Sequence, residues 1–97
     1  MNDEQLARNL QSVGQACFVK YYELFVSSSI EQIEIIETLR KETAYTEKSC
    51  KSRTSHARSI GQAGRAIDAL RKVVSSNSPH VNVETRVKAE GLIGKYS

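Results

Sequence analysis

The chain contains no tryptophan, a single proline, two cysteines and no apolar run near the length of a membrane span. Each scarcity excludes something. Without tryptophan, and with only two phenylalanines and four tyrosines, the core must come from Ile, Leu, Val and Ala. Two cysteines cannot make a disulfide framework, and Cys17 and Cys50 fit reduced thiols. No stretch approaches the ~18 apolar residues a spanning helix needs, so no membrane partner is expected. The opening MNDEQLARNL has an acidic pair and lacks the basic and apolar regions of a signal peptide, so the expected compartment is cytoplasmic. The only proline is Pro79, and the other obvious breaks are serine clusters at 27–29 and 75–78.

What is present is charge, unevenly divided. Residues 1–47 hold four basic and eight acidic side chains, and residues 48–97 hold ten basic and three acidic, giving +3 overall. The two halves can pair with each other, or leave a basic surface for nucleic acid. Ninety-seven residues make one domain, of a size that buries roughly two-thirds of its unfolded surface.

Periodicity predicts helices throughout. Leu6, Leu10, Val13, Cys17, Tyr21 and Leu24 step by 4, 3, 4, 4 and 3, within about 80° of one another on a helical wheel, which predicts one helix over about 3–27. Ser29 and Gln32 have capping-box spacing and open a helix predicted to about 42. Ile60, Ala63, Ile67, Leu70 and Val74 form an apolar stripe. Cys50, Ala57 and Gly64 form a stripe of small residues beside it, and Lys51, Arg58, Arg65 and Lys72 recur every seventh residue on the far side. One continuous helix over about 44–75 keeps all three stripes aligned. After Pro79, Asn82 as N-cap and Ala89, Leu92, Ile93 and Tyr96 predict a short helix over about 82–94. The expected fold is all-α: an antiparallel bundle of two or three long helices plus a short C-terminal helix.

Residues 51–72, KSRTSHARSIGQAGRAIDALRK, also carry two local resemblances. The spacing of Ala57, Ile60, Gly61, Ala66, Ile67 and Leu70 resembles a helix-turn-helix, with Gly61 at the turn. Ile60-Gly61-Gln62-Ala63-Gly64-Arg65-Ala66-Ile67-Asp68-Ala69-Leu70 resembles the KH signature, which implies Gly61 and Gly64 clamping a nucleic-acid backbone, Arg65 on a phosphate and HVNV as the next strand. The preferred alternative is a packing notch: Gly61 and Gly64, with Cys50 and Ala57, let a neighbouring helix approach closely.

Catalytic signals are sparse. Lys48, Lys51 and Arg53 near Cys50 would lower a thiol pKa, yet Cys50 and His56 lie six apart, on different helix faces. The cysteines and histidines lack zinc-site spacing, and neither a P-loop nor a G-x-G-x-x-G occurs. The expectation is no enzyme, no metal and no cofactor. Function is expected to be that of a small interaction or accessory protein, a homodimer that binds another protein. Its helix-packing or dimer contacts would be Leu10, Val13, Cys17, Tyr21, Ala57, Ile60, Gly61, Gly64, Ile67 and Leu70. The alternative is a nucleic-acid-binding regulator, with Lys48, Lys51, Arg53, Arg58, Arg65 and Lys72 meeting nucleic acid or an acidic partner.

Overall fold

The computed structural model describes all 97 residues and is all-helical, without strands. It contains seven helices: α1 (Asp3–Val13), α2 (Gln15–Lys20), α3 (Tyr22–Val26), α4 (Gln32–Glu42), α5 (Glu47–Gln62), α6 (Ala66–Val74) and α7 (Val83–Tyr96). The all-α class therefore holds, while the long helices do not. A continuous helix over 3–27 would be about 37 Å long and one over 44–75 about 48 Å. The molecule measures 30 × 26 × 25 Å with a radius of gyration of 12.3 Å.

The breaks have identifiable causes. Gly14 sits at φ 89°, ψ 125°, where a residue with a side chain is strained, and it ends α1. The carbonyl of Val13 is thereby freed from the helix, and Arg53 reaches back 40 residues to donate Nη1 to it at 2.6 Å. A softer break at Tyr21 (φ −108°, ψ 19°) separates α2 from α3. The helix predicted over 44–75 divides at Ala63-Gly64-Arg65. Gly64 takes φ 72°, its amide donates to Gly61 O (3.1 Å) and the Arg65 amide to Ile60 O (3.1 Å). That pair of bonds is the Schellman motif, and Gly64 supplies its left-handed residue.

Helix starts follow side-chain capping. Asn2 and Gln5 form a reciprocal capping box on α1, Thr46 accepts from Ser49 N on α5, and Asn82, as predicted, accepts from Thr85 N on α7. The capping box predicted at Ser29 and Gln32 does not form: Ser29 bonds to Ser27 Oγ instead, and α4 starts after Glu31.

Twenty apolar side chains form one core. α5 runs against α1, α3 and α4 and is followed by α6, which packs on α7; α2 closes the other side of α7. Cys50, Thr54, Ala57 and Ile60 of α5 are all fully buried, the 4-3-3 spacing of one helix face. Phe18 anchors an aromatic group, stacked on Phe25 (6.2 Å between centroids) and edge-on to Tyr22 (5.6 Å). Because the chain breaks after Gln62, the apolar stripe changes phase. Ala63 is exposed, Ile67 and Val74 are half-buried, and α6 buries Ala69, Leu70 and Val73.

Candidate functional site

The six basic residues singled out in the sequence do not share a surface. Lys48 and Lys51 are exposed on α5, Lys51 within 3.7 Å of Glu47. Three arginines turn inward and hold the chain together. Arg53 donates to Val13 O and to Ser49 Oγ (2.9 Å), and its guanidinium lies 3.8 Å from the centre of the Tyr45 ring. Arg58 donates to the carbonyls of Ser27 (2.6 Å) and Ile30, fixing the α3–α4 connection. Arg65 bonds to Met1 O, Asp3 (2.5 Å) and Asp68 (2.7 Å), tying the N-terminus to the start of α6. That guanidinium holds the Asp3 carboxyl below its ordinary range, through the hydrogen bond first and charge second. Arg86, not among the predicted residues, plays the same part for Ser76 O. The seven-residue basic repeat is thus dissolved by the turn at 63–65, and its middle members serve the fold.

The predicted packing set is largely interior. Leu10, Val13, Cys17, Tyr21, Ala57, Ile60 and Leu70 are buried within the single chain, so a second copy would dock elsewhere. The expected packing notch does not need its glycines: a Cβ at Gly61 would lie 3.9 Å from Val26 Cγ1, an ordinary van der Waals contact. Gly64 is the exposed turn residue, with open space beside it. This corrects both local resemblances. Gly61 is helical, so the turn lies three residues beyond the helix-turn-helix position. The KH segment has no GxxG loop between helices, and HVNV leads into α7 rather than a strand.

The thiols are interior. Cys50 is fully buried, its Sγ 4.0 Å from Tyr45 O, and burial pushes the Cys17 thiol up against the opposing pull of Arg53. His56 is half-buried, its Nδ1 2.8 Å from Asn9 Oδ1.

Two surface features stand out instead. The first is the outer face of α7. Val83 is 71% exposed and Val87 61%, and Gly91 and Gly94 continue the same face at helical spacing with nothing within 4 Å of where their Cβ atoms would be. Glu84 and Lys95 flank this face near its two ends. Lys95 Nζ is 3.0 Å from Glu23 Oε2. The Glu23 carboxyl is held below its ordinary range by Tyr96 first and Lys95 second.

The second is a groove of about 830 Å³ where the α1–α2 break meets Tyr45, Arg53 and the α6–α7 connection. Its apolar lining includes Ala7, Leu10, Ala16, Cys17 and the Tyr45 ring, and its polar lining includes Arg53, Lys72, Ser75, Ser76, Ser78 and His80. None of its 14 lining residues is an Asp or Glu. Sequence reasoning named Arg53, Lys72, Leu10 and Cys17 for other reasons and missed the groove, whose lining comes from four separate stretches of the chain, 7–17, 45, 53 and 72–80. The one available signal was Gly14, whose break opens the site.

Comparison of the chain with protein-family models, with curated proteins and with solved structures returns no match.

Proposed function

We propose that this protein is a small non-enzymatic interaction module that works as a homodimer, with a second copy docked on the outer face of α7. The observation that carries this reading is the run Val83, Val87, Gly91, Gly94: two exposed valines followed by two glycines on one helix face. Such a face is self-complementary apart from the exposed Glu90, which stands at its other edge. In an antiparallel pair of α7 helices centred near residue 89, Val83 and Val87 of one copy meet Gly94 and Gly91 of the other. Glu84 then lies beside Lys95 of the second copy at both ends. Close backbone approach at the glycines lets the valines bury fully, each worth about 1–2 kcal/mol. An isologous contact of this kind leaves the remaining surface free for a protein partner.

Nucleic acid is the competing reading. Lys48 is free to meet phosphates and Lys51 is held only by its exposed pair with Glu47, whereas Arg58 and Arg65 would have to leave carbonyls and carboxylates they already bind.

Light scattering at tens of micromolar tests the proposal. The expected mass is that of two chains, falling to one in Val87→Glu with the helical circular dichroism unchanged. A monomer mass for the unmodified chain sinks it. Binding to an arbitrary duplex at low salt that weakens steeply with added salt and is lost in Lys48→Glu/Lys51→Glu would favour the nucleic-acid reading instead.

A further inference from the structure

We infer that the groove between the α1–α2 break and the α6–α7 connection is a binding site for a small organic oxyanion, a phosphate or carboxylate group carried on a flat apolar body. Four observations converge on this chemistry.

The lining of the groove is cationic, and Asp3, outside it, is the carboxylate that feels the charge of Lys72. Arg53 and Lys72 line it, His80 stands at its edge, and no carboxylate contributes to its walls. Neither Arg53 nor Lys72 belongs to any of the five ion pairs in the molecule. Both are half-buried, where an unpaired cation attracts an anion more strongly than on an open surface.

The cation is pre-positioned. Arg53 is held by Val13 O, Ser49 Oγ and the Tyr45 ring, which use Nη1, Nε and a guanidinium face, and it lies beside the Cys17 thiol; Nη2 has no oxygen partner. A guanidinium fixed in this way loses little freedom on binding an oxyanion.

Neutral donors surround it. The hydroxyls of Ser75, Ser76 and Ser78 and the amides of Gln11 and Gln15 line the same groove, the complement an oxyanion needs once its charge is met.

The rest of the lining is apolar and partly flat, and its Tyr45 ring lies directly against the Arg53 guanidinium. Leu10, Cys17 and the Tyr45 ring suit a planar apolar body rather than a bare inorganic ion. The volume, about 830 Å³, falls in the range of small-molecule sites.

The test is a titration of the full chain with phenyl phosphate, followed by amide chemical shifts in nuclear magnetic resonance, alongside phenol and inorganic phosphate. The expected result is saturable shifts at Gly14, Cys17, Tyr45, Ser76 and His80. Phenol, which lacks the charge-assisted contacts, and inorganic phosphate, which lacks the apolar body, should each bind about tenfold more weakly. Lys72→Gln should weaken phenyl phosphate about tenfold as well, while Lys48→Gln, which removes a charge outside the groove, should not. The inference is overturned by any of four results: no saturable shift, shifts confined to other surfaces, phenol or inorganic phosphate binding as tightly as phenyl phosphate, or equal weakening by the two lysine substitutions. The proposed dimer stands or falls separately, since α7's outer face contributes nothing to this groove.

Discussion

α5 and α7 are the two longest helices, at 16 and 14 residues, and they make opposite use of similar material. α5 has low mean apolarity, with a run of Ser, Lys and Arg, yet its Cys50, Thr54, Ala57 and Ile60 reach the centre of the core. Its arginines do not stay in water: Arg53 and Arg58 cross to carbonyls left unpaired by distant breaks. α7 has apolar side chains in all directions, buries Ala89 and Leu92, and leaves Val83 and Val87 outside. The lesson is that burial follows which helix is surrounded rather than which is more apolar. A helix with small residues on one face and long cations at its sides can be placed centrally, because neighbouring helices approach closely and each cation finds a backbone oxygen.

The contrast can be broken most forcefully at α5. Ile60→Ala empties a site with no solvent exposure and should cost about 2–5 kcal/mol, whereas Val83→Ala should change monomer stability by less than about 0.5 kcal/mol. Urea denaturation of the two variants measures the difference.

Gly14 is the next largest lever. A Cβ at its positive φ would also stand 2.7 Å from Arg53 Nη1, so Gly14→Ala should cost about 1–3 kcal/mol and loosen the bond from Arg53 to Val13 O. A thermal melt unchanged from the parent would show that the break at Gly14 is not held as described.

Alkaline pH should weaken the side of the core built from α2, α3 and the α4–α5 connection. Tyr21 is pushed up to about 12, by burial first and by Glu42 second, and burial also raises Tyr22, Tyr45 and Cys17. Each group keeps its proton more tightly in the folded chain. Their contribution is therefore complete below the ordinary values of 9.0 for the thiol and 10.0 for the phenols, and is lost as pH rises toward 12. The urea midpoint should fall across that window, and less steeply in Tyr21→Phe, which has no proton to lose.

Two substitutions should stabilise. Thr54 Oγ1 is buried in α5 without a hydrogen-bond partner, so Thr54→Val should gain about 1 kcal/mol. Gly91→Ala meets open space within α7 and should gain about 0.5–1 kcal/mol in the monomer. The same methyl would occupy the place proposed for a partner's valine, so dimer mass at micromolar concentration should drop while the melting temperature rises. A rise in both would count against the α7 pairing.

Much of the helical content was legible along the chain. The 4-3-4-4-3 spacing of Leu6 to Leu24 marked a helical phase that survives two breaks well enough to bury Leu6, Leu10, Val13, Cys17 and Tyr21. Asn82 announced α7. What failed was continuity. A stripe that runs unbroken on a helical wheel looks the same whether or not the backbone bends, and Gly14 and Gly64 each carried a bend that periodicity alone does not register. The groove was illegible for a related reason: Tyr45, Arg53, Lys72 and Ser76 come together only after both bends are made.

By itself, then, the sequence determined that this protein is helical, which side chains of its first half belong inside, and that its basic half would need partners. Local spacing and capping carry that information because they act within a turn or two of helix. The tertiary structure decided where the helices stop, that Arg53, Arg58 and Arg65 find their partners within the chain, and which apolar face remains outside. Those outcomes depend on unpaired carbonyls and open space created by segments tens of residues away, and no local pattern encodes that proximity.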